Sequence, residues 1–215
     1  MGKIPQFFRT TGQNIINTFS FSDVIAGSAI QEFNLGTTKQ DTTKTFHLSV
    51  FPFYSSDIEL QGATPHGTNA FTLEGTWSFD VNIGVPRQIQ GEAIININSL
   101  MAFTNDAATH QGYAIFKVRK YTVAGSTVEI ANAQSPTNSG YNSKLMLSST
   151  VVIPKTAFAI GDKLRLTIEL WCKNTHASND GNVWLFADPK NATSTLMTSS
   201  DITQAFFNCP FIYNT

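Results

Sequence analysis

Residues 163–173 read KLRLTIELWCK, and the alternation in them is almost without fault. Leu164, Leu166, Ile168, Leu170 and Cys172 fall on one face. Lys163, Arg165, Thr167, Glu169, Trp171 and Lys173 fall on the other. A period of two is the mark of a β-strand with one buried and one wetted face. Slipping the register by one residue would drive Lys163, Arg165 and Glu169 into the core. The stretch therefore specifies its own inner face.

The same rhythm recurs elsewhere. FTLEGTWSFDV places Phe71, Leu73, Trp77, Phe79 and Val81 on one side. FHLSVFPFY places Phe46, Leu48 and Val50 inward, with Pro52 marking an edge or a strand end. GEAIININSLM turns Ala93, Ile95, Ile97 and Met101 inward, and GYAIFKVRKY turns in Ala114, Phe116 and Val118. AIQEFNL, STVEIANA, KLMLSSTVVIP and GNVWLFADP complete the strand set. Between them lie turn formers such as Gly84-Val85-Pro86, Ala124-Gly125-Ser126 and Asp180-Gly181, which reverse the chain cheaply. Helical periodicity is scarce. SDVIAGSAI and SSDITQAFF each allow one short turn. Strands do not alternate with long helices, which argues against a parallel α/β sheet. The expectation is an all-β fold, an antiparallel β-sandwich of 8–10 strands.

The 215 residues suit one large all-β domain, read as a single sandwich over 29–215 after an N-terminal arm or irregular extension over 1–28. Charged residues make up 13% of the chain and the net charge is −1. That share is roughly half the usual one, so Thr, Ser, Asn and Gln must carry solubility. Surfaces of that kind repel one another weakly and permit close self-packing. No basic stripe is present. Lys117, Arg119 and Lys120 form the densest cationic cluster, which excludes nucleic acid as an expected partner. No apolar run approaches the roughly 20 residues of a membrane helix, and the N-terminus lacks a signal-peptide pattern. Cys172 and Cys209 are the only cysteines. A buried thiol suits Cys172, and a Cys172–Cys209 bridge stays open.

The chemistry of catalysis leaves little trace. His47, His66, His110 and His176 stand at no metal-ligand spacing. Asn179, Asp180 and Asn182 fit a turn, without the loop of a calcium site. There is no nucleophile elbow and no phosphate-cradling glycine loop. No enzyme, cofactor or metal is expected. Three aromatics, Tyr121, Trp171 and Trp184, fall opposite the core positions of their strands. They are candidate exposed contacts, for a subunit or for a carbohydrate ring. Phe7, Phe8, Phe19 and Phe21 are candidate subunit or shell contacts in the N-terminal segment.

VRKYTVAGSTVEIANAQSP (118–136), VVIPKTAFAIGDKLRLTIELWCKN (151–174) and VWLFADPKN (183–191) together resemble virion structural proteins of tailed phages and related viruses. In those, a strand, Ile-Pro, hydrophobic-Gly-Asp and a strand precede a strand ending in Asp-Pro. FSFSDVIAGSAIQEFNLG (19–36) resembles an Asp-Ile/Val-Ala-x-Gly segment of the same proteins. The resemblance implies a jelly-roll-like sandwich in a virion, made in the host cytoplasm. It also implies a capsid-surface (decoration) or other shell-associated role among copies of itself and other virion proteins. A trimer is the expected cyclic form. The alternative is a carbohydrate-binding or host-attachment module of a tail or fibre.

Overall fold

The computed structural model describes residues 28–40, 43–51, 59–64, 67, 69–103, 110–139, 143–176, 180–186 and 205–212. Among them there are twelve strands and no helix. In chain order they are β1 (Ser28–Gln40), β2 (Thr43–Ser49), β3 (Glu59–Thr64), β4 (Thr72–Asn82), β5 (Arg87–Phe103) and β6 (His110–Tyr121). Then follow β7 (Thr127–Gln134), β8 (Asn138–Ser139), β9 (Ser143–Phe158), β10 (Lys163–Asn174), β11 (Gly181–Phe186) and β12 (Phe206–Ile212).

The strands join in one sheet, ordered β3-β11-β5-β12-β1-β2-β4-β10-β6-β7, with β8 on β6 and β9 on β5. Every ladder is antiparallel except the single β2–β4 bridge at His47 and Asp80. The 17-residue β5 organises one half. It pairs with β9 along one edge and gives its other edge first to β12 and then to β11. The sheet curls almost closed, bringing β7 beside β9 without a ladder, and there the Ser149 hydroxyl donates to the Gln134 carbonyl at 3.2 Å.

The strand of residues 163–173 lies where its alternation puts it. β10 sits between β4 and β6, with Leu166 opposite Phe79 and Val118, and Ile168 opposite Trp77 and Phe116. All of these are buried in one core, which also takes Phe33, Leu35, Ile95, Ile97, Val151, Ile153, Phe207 and Phe211 from the other side of the curl. Phe33 meets Phe211 edge-on at 6.1 Å, and Phe46 meets Phe79 at 5.4 Å. Both cysteines are buried thiols and the pair forms no bridge. Burial pushes the Cys209 thiol far up, leaving it un-ionised and inert.

Four departures from the sequence reading have physical causes. The count is twelve strands rather than 8–10, because β3 and the two-residue β8 carry no alternation to announce them. Phe206 and Phe207 belong to strand β12, not to a short turn. Pro210 disguised that strand; it sits where the β12–β5 register shifts, so its missing N–H falls at an irregularity of the ladder. Leu73 is 46% exposed, not inward. An extra residue on β4, opposite the Leu170–Trp171 step, flips the phase of the strand before Gly75. Finally, Thr167 and Glu169 are buried although they lie on the outer face of β10. The central strand of a curled sheet is overhung by long side chains from both neighbours.

Candidate functional site

The outer face of β4, β10, β6 and β7 gathers most of the described ion pairs. Arg165 on β10 donates to both carboxylate oxygens of Asp80 on β4, at 2.6 and 2.8 Å. That fork holds the guanidinium above its ordinary range. The guanidinium also lies 4.7 Å from the Tyr121 ring centroid, and the Lys163 ammonium 5.6 Å from it. Arg119 meets Glu129 at 3.4 Å, and Lys117 meets the buried Glu169 at 2.5 Å. The residues of the cationic cluster are thus each matched with a carboxylate, Lys120 with Asp162.

Further along the same face stand three half-buried aromatics. The Trp171 and Tyr113 rings are parallel within 7° with centroids 6.4 Å apart, a cross-strand pair in register. Phe71 reaches across β10 to Tyr113 at 4.9 Å. The Trp171 indole N–H donates to Glu169 at 3.3 Å, which ties the aromatic group to the Lys117–Glu169 pair. Of the three aromatics read as exposed, Trp171 holds a half-open place in this group. Tyr121 is half-buried and engaged by two cations of its own chain. Trp184 is a correction: it is 8% exposed. Val183, Trp184 and Leu185 are consecutively buried because β11 is covered on both faces, and a continuous apolar run signals such a strand. Phe71 and Tyr113 were missed as site residues. Tyr113 alternates with Ala114 and Phe116 in the sequence, so it was readable as outward. Phe7, Phe8, Phe19 and Phe21 lie outside the described residues, as do His66 and Asn179. Among the described residues no three His, Cys, Asp or Glu side chains are grouped to hold a metal.

One end of the sheet is built from three turns, and Asp162 binds them together. The Ala159–Asp162 turn closes with the Asp162 amide donating to the Ala159 carbonyl at 3.2 Å, and Gly161 takes φ +87°, which suits glycine. One Asp162 carboxylate oxygen accepts from the Ala159 amide at 2.8 Å, and the other from the Val123 amide at 3.3 Å in the β6–β7 turn. The Ile83 amide donates to the Asp162 carbonyl, and the Gly161 amide to the Ile83 carbonyl, at 2.8 and 2.9 Å. The Ala159 amide and the Lys120 ammonium hold the Asp162 carboxyl below its ordinary value of 3.8, with the Val123 amide adding to both. A depressed folded-state pKa contributes stability that is complete above about 3.8 and is lost as pH falls through the lower folded value. Asp162→Asn should therefore melt below the wild type at neutral pH, and the gap should narrow as the pH drops below 4. A constant gap across an acid titration of the melting temperature would show that the charge is not what matters.

No protein-family model matches the sequence, and no curated protein matches it. Solved structures do share the fold. An aminopeptidase from the marine sediment archaeon Thaumarchaeota archaeon aligns with a TM-score of 0.53 and 5% identity, over 86% of this chain and 37% of that one. An α-amino acid ester hydrolase aligns at 0.52 and 8%, over 84% and 36%. A CocE/NonD family hydrolase from Staphylococcus aureus aligns at 0.50 and 9%, over 86% and 37%. This chain spans little more than a third of each, and at such identities the likeness is one of fold alone. The enzyme-free expectation thus meets a fold that also occurs as part of hydrolases.

Proposed function

We propose that this chain is a structural virion protein, a capsid-surface or other shell-associated component, whose jelly-roll-like sandwich assembles with copies of itself. The observation that carries this reading is the outer face of β9, β5, β12 and β1. Ile94 lies beside Thr150 on β9 and Asn208 on β12, and Val152 lies beside Glu92. Ile30, Ile94, Met146 and Val152 are 62%, 44%, 66% and 69% exposed there. Asn, Ser and Thr fill the positions between, and Glu32 and Glu92 are the carboxylates of the face. Four large aliphatic side chains exposed on one charge-poor sheet face suit a repeated contact between copies. The reading gives the chain no catalytic role.

Mass measured in solution across a wide concentration range tests it. The expected species is an oligomer, with three copies as the expected form, and Ile94→Asp should reduce it to a monomer while leaving the melting temperature nearly unchanged. A wild-type chain monomeric at every concentration would remove the basis of the proposal. The Phe71–Tyr113–Trp171 group favours a second reading, a carbohydrate-binding or host-attachment module. Stacking on such rings predicts that Trp171→Ala abolishes binding on a glycan array.

A further inference from the structure

The three turns joined by Asp162 present an apolar tip where turns are ordinarily polar. Val85, Val123 and Ile160, one from each turn, are 60%, 70% and 64% exposed. Around them the exposed residues are Gly84, Pro86, Ala124, Gly125, Ala159 and Gly161, with Ser126 and Asn82 the uncharged polar ones at the margin. No exposed carboxylate lies within the three turns, since Asp162 is buried. The tip also meets many of its backbone needs internally. The amides of Ile83, Val123, Gly125, Ala159, Gly161 and Asp162 all donate within the turns. Pro86 has no amide hydrogen to satisfy. Those six donors need no water as partner.

Behind the tip stands a cationic collar. Arg87 follows Pro86, Lys163 follows Asp162, and Lys120 precedes the β6–β7 turn by one residue, with Arg165 one step further down β10. Lys120 pairs with Asp162, Lys163 and Arg165 share Asp80, and the Arg87 guanidinium lies 5.4 Å from the Phe211 ring centroid, so four cations stand with two carboxylates, a surplus of two positive charges. Of the three ion-paired cations Lys163 is the most exposed, 38% along its side chain and 3.9 Å from Asp80.

We infer that this tip inserts into the interface of an anionic lipid bilayer, with Val85, Val123 and Ile160 entering the acyl boundary and the collar resting among acidic headgroups. Two observations select that occupant. The charge surplus complements anionic headgroups, as in other interfacial anchors of apolar tip and basic flank. And three aliphatic side chains make a contact far smaller than the roughly 800 Å² per partner of a stable protein interface, whereas a bilayer needs no matching surface. Insertion by turns requires no membrane helix, and none of the described residues form one. The inference is independent of the self-assembly reading, which rests on a different face.

The test is co-sedimentation of the full chain with vesicles of phosphatidylserine and phosphatidylcholine, beside vesicles of phosphatidylcholine alone. The wild type should sediment with the anionic vesicles and release as salt rises. Val123→Asp and Ile160→Asp, each at an exposed position, should lower partitioning about tenfold or more, because each removes an apolar anchor and adds a repelled charge. Lys163→Gln should lower it several-fold on anionic vesicles and leave the weak binding to neutral ones unchanged. Melting curves matching the wild type establish that the variants are folded. Absence of wild-type binding to anionic vesicles overturns the inference, and so does binding that survives both aspartate variants. The same holds if the variants leave vesicle binding intact but block association with a protein. Ile94→Asp should leave vesicle binding unchanged, so a failure of the assembly reading is told apart from a failure here.

Discussion

Gly75→Val should lower the unfolding free energy by about 3 kcal/mol, a fall of about 6–12 °C in melting temperature for a chain of this size. The cause is one ring. A β-carbon at position 75 would come to 2.7 Å from the Trp77 Cζ2 and nearer still to its Cη2. Trp77 is 8% exposed, opposite Ile168 of β10, and its indole lies flat over the Gly75 backbone. The backbone conformation of Gly75 itself is ordinary, so the penalty is entirely steric. A side chain there must lift the indole out of a core packed as densely as a crystal. The diagnosis is checked by a double-mutant cycle. In a Trp77→Val background the chain is already weakened, but adding Gly75→Val should then cost far less than it does in the wild type. Additive effects in circular-dichroism melts would mean that Gly75 is needed for some other reason.

Lys117→Met should cost about 2 kcal/mol, and Lys117→Met with Glu169→Leu should recover most of it. Glu169 is 8% exposed and holds two donors, the Lys117 ammonium and the Trp171 indole. Removing the lysine leaves a carboxylate buried with only a neutral partner, and stranding a charge is worse than losing the pair. The figure is set below that of a fully buried pair because the Lys117 side chain is 22% exposed. Urea denaturation of the four chains of the cycle measures it. If the single variant is as stable as the wild type, Glu169 is better solvated than its position implies.

Much of the fold was legible because the information is local. Leu164, Leu166, Ile168 and Leu170 declare their face within eight residues, and Ala114, Phe116 and Val118 do the same on β6. What escaped depends on neighbours. The phase change before Gly75 exists only because β4 accommodates an extra residue against β10. The burial of Glu169 exists because Lys117 and Trp171 overhang it. β12 was hidden because a proline inside a central strand is tolerated only at an irregular step, and no pattern in FFNCPFI reveals where that step falls. The site shows the same division. Trp171 was readable as outward from alternation, but its company, Tyr113 in register and Phe71 across the strand, follows from pairings over 50 residues apart. Two parts of the apolar tip were present as turn signals, Gly84-Val85-Pro86 and Ala124-Gly125-Ser126, and the third, Ile160-Gly161-Asp162, only as the hydrophobic-Gly-Asp element of the resemblance. Only the hydrogen bonds of Asp162 make them one surface.

The place of β12 has a bearing on how the chain reaches this state. It lies between β5 and β1, pairing Phe207 with Ile95 on one side and with Phe33 on the other. Until residues near 206–212 leave the ribosome, β1 and the first half of β5 each keep an open edge. Contacts separated by so much intervening chain form slowly, and waiting edges recruit strands from neighbouring molecules. Refolding should therefore be sensitive to protein concentration, with β12 the last strand to gain protection from hydrogen exchange.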